Sequence, residues 1–323
     1  MKRSLPILLL AAVACASAAA PPAPARPPFA FQSNFWVNLH HFVRAVGRGM
    51  PAPAQLSAAE RSTWDEGVAF YRDRYSERDL LFDDGMVQIK EALRVVGGTE
   101  SLGSAPLDPE LKSTLERLAP VYRAHWWPAH DAANRAWIDA VQPLLARHGA
   151  ALSRRVAASY GESWPSTPVP VDLSVQAGRV GAYTTARPTH ATIAPSTPGL
   201  SGHGALEILF HEASHAWDQI LENAIDKASA ARKKTVPRQL WHAVLFYNAG
   251  ELTRRTLLED GVDGYVEYAV RQKVYPGLCG DGCRELVAKH WDPHLDGKAS
   301  LEEALDGLVA AWPEQPPPKP GAS

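Results

Sequence analysis

Hydrophobic residues recur at helical spacing along the first half of the chain. Phe35, Val37, Leu39, Phe42, Val43 and Val46 predict a first helix that stops near Gly47 and Gly49. Ser57 with Glu60 three residues on forms a capping box ahead of Trp64, Val68 and Tyr71. A third periodic stretch, 81–96, ends at Gly97-Gly98. Asp108 caps a fourth, in which Leu111, Leu115, Leu118, Val121 and Tyr122 share one face. Helical periodicity continues through Trp137, Val141 and Leu145, then from Leu152 to Tyr160.

The texture changes at Trp164. Pro165, Pro168 and Pro170 punctuate a loop, and residues 169–175 alternate as a strand does. Residues 180–185 and 189–195, rich in Val, Ile and Thr, are two more strand candidates. Gly199, Gly202 and Gly204 precede a strong helix from about Leu206 to Asn223, and further helices are expected over 239–258, 262–274, 284–290 and 301–311. The expected fold class is α+β, mostly helical, with a small sheet inserted among helices. A helical region (35–163) and a second unit (164–312) lie between a Pro-rich spacer (19–34) and a Pro-rich tail (313–323).

Composition narrows the function classes. Hydrophobic residues are 46% and charged residues 21%, enough apolar material for a sizeable core. A net charge of −2 removes the basic balance of a nucleic-acid binder. The long apolar run is N-terminal: Lys2 and Arg3, then Leu5 to Val13, then Ala16-Ser17-Ala18. It reads as a signal peptide over 1–18 and implies a secreted or periplasmic protein with no membrane span after its removal. Cys15 leaves open a lipoprotein anchor. Cys279 and Cys283 flank Gly280-Asp281-Gly282. In an exported chain a local disulfide is expected there, ahead of a zinc site completed by His290 and His294.

The chemistry centres on Phe210-His211-Glu212-Ala213-Ser214-His215-Ala216-Trp217. On a helix, residues four apart stack on one face, so His211 and His215 can both offer an imidazole nitrogen to one Zn2+ ion. Glu212 stands beside the ion and can take a proton from a water activated there, then pass it to a leaving amine. Leu206, Leu209, Ala213 and Ile220 would bury the other side of the helix.

His211-Glu212-Ala213-Ser214-His215, flanked by uncharged residues, resembles the zincin-type zinc metallopeptidases. The resemblance covers about residues 165–275 and implies a motif helix under a small twisted sheet whose edge strand binds extended peptide; residues 189–195 are placed where that strand would be. The helical N-terminal region would wall or cover the cleft. The metzincin pattern fails, because Asp218 and Leu221 occupy its glycine and histidine positions. Similarity to gluzincins implies a glutamate on a later helix, and Glu251, 36 residues beyond His215 and preceded by Gly250, is the preferred third ligand. Arg255 stands where those families commonly have an aspartate. His242 is the rival ligand; it lies nine residues before Glu251, on nearly the opposite side of the same helix.

Tyr247, one turn from Glu251, would then reach a developing oxyanion. Asp218 is placed to orient a ligand histidine, or else is a solvated carboxylate. His40 and His41 diverge on their helix and read as surface or rim residues, and Trp126-Trp127 as core. The function implied is an exported zinc-dependent peptidase acting on a peptide or protein substrate. The alternative is a non-catalytic zincin-like binding or scaffold protein of the cell envelope.

Overall fold

The computed structural model of the protein describes residues 27–313, apart from 98–99, 104, 179 and 187. The expected signal peptide, Cys15, the first half of the spacer and nearly all of the tail lie outside these residues. The remainder is α+β and mostly helical, as the periodicity predicts.

The first element corrects the spacer assignment. Phe29–Ser33 is a strand, β1, although prolines crowd the residues before it. Phe29 alternates inward and packs edge-on against Trp164 and Phe210, with ring centroids 5.7 and 5.3 Å away. Four helices follow: α1 (Phe35–Gly47), α2 (Ala58–Arg74), α3 (Asp84–Val96) and α4 (Pro109–His125). The Ser57 capping box and the Asp108 cap are both formed. The two stretches expected after Trp127 are one helix of 33 residues, α5 (Trp127–Ser159), which runs through Pro143.

Three strands come next: β2 (Val169–Leu173), β3 (Ala182–Ala186) and β4 (Thr189–Ile193). The sheet order is β1-β2-β4-β3. β1 and β4 run parallel to β2, and β3 runs antiparallel to β4. The expected edge strand, 189–195, is therefore interior, and β3 occupies the edge.

The two faces of this sheet differ. Val171, Leu173, Ala191 and Ile193 build one face into an apolar core with α5 and the motif helix α6 (His203–Ser214). The opposite face carries Asp172, Tyr183, Thr185 and His190, and it meets α1 and α3 through buried polar groups. Asn38 donates to the Leu173 carbonyl at 2.8 Å, and Lys90 Nζ donates to Thr185 Oγ1 at 3.1 Å. His190 stands between Glu91 Oε1 at 2.6 Å and Asp172 Oδ2 at 2.9 Å. Polar groups buried so deeply need partners, and these specify how the helices sit on the sheet. The helices α1–α4 have their own apolar core, with Trp36, Tyr71, Leu115 and Tyr122 at its centre. The 35–163 region thus divides at α5, whose Trp137, Val141 and Leu152 join the sheet core.

The helix expected over 206–223 breaks. Ser214 Oγ bonds back to the Phe210 carbonyl at 2.7 Å, which loosens a helix. A 3-10 turn over His215–Trp217 follows, then α7 (Asp218–Arg232). Leu240–Glu259 forms α8 as expected. The helix expected over 262–274 shrinks to α9 (Tyr268–Arg271) and α10 (Val274–Cys279), because Gly261 and Gly264 take positive φ and Lys273 is left-handed. Cys279 and Cys283 form the disulfide at the start of α11 (Cys283–Leu295), and α12 (Leu301–Ala311) follows. Among the described residues no helix is long and apolar enough to cross a membrane.

Candidate metal centre

The motif helix is buried on all sides. From Gly204 to Ser214 each residue is enclosed by the sheet, α5 and α8. His211 and His215, one turn apart, bring their ring centroids to 5.2 Å. The third histidine comes from α8, whose first turns cross beside α6. One ligand atom each from His211, His215 and His242 lies within 4.8 Å of the others. The Nε2 atoms of His211 and His242 are 3.4 Å apart.

The 3.4 Å separation of His211 and His242 suits an ion. A tetrahedral zinc with Zn–N bonds of about 2.0–2.1 Å holds its nitrogens about 3.3–3.4 Å from one another. Burial pushes the His211 imidazole well below its ordinary pKa and the His242 imidazole down to about 3, and neighbouring histidines add to both effects. Both rings are therefore neutral near pH 7, with lone pairs free for a cation. Phe246 stacks on His211 at 3.7 Å between centroids, and Trp241 lies against His242 at 4.9 Å, so the rings are held by packing.

Glu212 points to the same cleft and is 3% exposed. Thr184 Oγ1, on β3, donates to its Oε2 at 2.7 Å. Burial raises the Glu212 pKa; the charge of His215 and the Thr184 bond pull the other way. The cleft has a volume of about 920 Å³. Its walls come from Phe82, Asp84 and Val87 around the start of α3, from Ala182 to Thr185 on β3, and from Trp241, Phe246 and Tyr268. The N-terminal helical region does wall the cleft.

Two expected site residues are elsewhere. Glu251 does not reach the histidines. Its carboxylate takes hydrogen bonds from Arg254 at 2.8 and 2.6 Å and from Arg255 at 2.6 Å. Burial opposes the Glu251 charge, and these guanidinium bonds overcome it and hold the carboxyl below its ordinary pKa. Tyr247 turns the same way and donates to Asp292 at 2.9 Å. The reason is the half-turn geometry of α8: the face with His242 and Phe246 meets α6, so Glu251 faces α9 and α11. Gly250 serves close packing; a Cβ there would stand 3.0 Å from Glu207 Oε1.

Asp218 comes within 3.9 Å of His215 Nδ1, too far for a hydrogen bond. His40 and His41 are buried, not at the surface. His40 Nδ1 bonds Tyr71 OH at 2.8 Å, and His41 bonds Ser174 at 3.0 Å and Tyr183 at 3.1 Å. Thr184 and Tyr268 were not among the expected site residues. Nothing local marks a strand threonine or a short-helix tyrosine as neighbours of Glu212. Scans against protein-family models, curated proteins and solved structures return no match.

Proposed function

We propose that this chain is an exported zinc-dependent hydrolase, most simply a peptidase, with His211, His215 and His242 as ligands and Glu212 as general base and acid. The observation that carries it is the convergence of three imidazole nitrogens within 4.8 Å, with a buried carboxylate opening onto the same cleft. Zinc bound there would supply Lewis acidity and a water of lowered pKa, with one coordination position left open. Glu212, held by Thr184, takes up the proton and returns it to the leaving amine. The backbone of edge strand β3 runs along the cleft and suits pairing with an extended chain. This reading keeps the zincin-like role of the His211-Glu212-Ala213-Ser214-His215 motif and replaces the gluzincin ligand set with three histidines. The Cys279–Cys283 disulfide supports an oxidising compartment.

The test is zinc content and peptide hydrolysis for the parent, His211→Ala and Glu212→Gln. About one zinc per chain is expected in the parent and in Glu212→Gln, with little in His211→Ala. Cleavage of a mixed peptide library is expected from the parent alone. Equal zinc in parent and His211→Ala, or undiminished cleavage by Glu212→Gln, would overturn the reading.

A further inference from the structure

A second cavity, of about 790 Å³, adjoins the metal cleft. Leu81, Phe82, Val180 and Tyr183 line both. His41 and Tyr183 belong to its lining, and Arg44 and Arg48 bring two positive charges to it. We propose that this pocket binds a carboxylate of an extended peptide whose backbone lies along β3. The proposal rests on the peptidase reading for the identity of its ligand, though not for the pocket itself.

Arg44 carries the argument. It is 8% exposed, and among the described residues no carboxylate pairs with it. Its Nε and Nη2 both donate to the Arg78 carbonyl, which is neutral, and the rest of the guanidinium is left for the cavity. The two acids in the lining are committed elsewhere or loosely placed. Asp79 Oδ1 accepts from the backbone N–H groups of Leu81 at 2.8 Å and Phe82 at 2.9 Å. Glu77 comes within 3.9 Å of Arg48 and its side chain is 85% exposed. Burial, and then the charge of Arg48, push the Arg44 pKa down; Asp79, Tyr183 and Glu77 offset this only in part.

An unpaired buried cation is costly, and an incoming carboxylate would remove that cost through a charge-assisted, forked contact. The spacing fits the same ligand. Thr184 touches Glu212, while Tyr183 and Val180 border the pocket, so an extended chain beside β3 covers the gap with roughly two to four residues at about 3.3 Å each. Phe82 and Val180 on the shared rim are 84% and 70% exposed, apolar surface for the side chains that precede the carboxylate. A peptide C-terminus and an Asp or Glu side chain share this chemistry.

Fluorescence anisotropy on the full chain carrying Glu212→Gln tests it. The probes are three N-terminally labelled hexapeptides of Ala and Leu: a free acid, its C-terminal amide, and an amide with one Glu near the C-terminus. At least one acidic probe should bind tenfold or more tighter than the neutral amide. Which acidic probe does so names the source of the carboxylate. Arg44→Met and Arg48→Gln should each bring that ratio down, Arg44→Met to within about twofold. Circular dichroism checks folding, and the more exposed Arg48 keeps the test decisive if Arg44→Met fails to fold. Equal binding of all three probes, no binding of any, or a ratio unchanged in the folded variants would overturn the proposal. The same titration on His211→Ala separates the two readings: a carboxylate preference that persists there upholds the pocket even if the zinc assignment fails.

Discussion

Thr184 and Glu212 are joined by a 2.7 Å hydrogen bond from the threonine hydroxyl to the carboxylate Oε2. This bond links the edge strand, where an extended chain would pair, to the helix that carries His211 and ends at His215. It holds one oxygen of the proposed base in place, leaving the other for the cleft.

Thr184→Val should therefore keep the metal and lower kcat/KM about tenfold, the equivalent of a charged hydrogen bond of roughly 1.5 kcal/mol. Zinc content measured beside turnover checks this. Unchanged turnover would show that Glu212 needs no anchor.

The two candidate third ligands make opposite predictions. His242→Ala should lose zinc as His211→Ala does, since a two-histidine site binds much more weakly than one with three protein ligands. Glu251→Ala should keep zinc but destabilise the fold by about 1–3 kcal/mol, because Arg254 and Arg255 lose their shared carboxylate. Zinc titration and urea unfolding of both variants decide the matter.

Glu207, one turn before His211, gives the pH dependence. Burial pushes its carboxyl up to about 7, against the hydrogen bonds from Tyr265 and the Tyr268 backbone. A raised acid pKa means that the folded state binds more protons than the unfolded chain between about pH 4.5 and pH 7. The stability associated with this group is fully present below the unfolded value and is lost as pH rises through 7. Glu207→Gln should remove that loss. Its melting temperature relative to the parent should climb from pH 5 to pH 8, by an amount on the order of 2 kcal/mol in stability. A difference that stays flat with pH would contradict the burial argument.

The disulfide closes only a short loop, between residues four apart in sequence. The paired Cys279→Ser and Cys283→Ser substitution should cost about 2 kcal/mol, the entropy of closing such a loop. Zinc content should not change, because neither cysteine is among the clustered ligands. Denaturant midpoints with and without reductant measure the effect.

Much of this protein was legible locally. The Ser57 and Asp108 caps, the helix ends at 96 and 311, and the pairing of His211 with His215 on one helical face need only neighbours within four residues. The Cys279–Cys283 disulfide is local in the same way. β1 was not legible, because five residues after a proline run become a strand only when Phe29 meets Val169, 140 residues on. Nor was the edge of the sheet, since both β3 and β4 carry strand-forming residues and order depends on which one pairs with β2. The third histidine shows the same division. The sequence by itself determined that His242 and Glu251 lie on opposite sides of one helix, because nine residues are two and a half turns. Only tertiary packing decided between them: α8 turns its His242 and Phe246 side onto α6, where Phe246 stacks against His211, and leaves Glu251 to its two arginines.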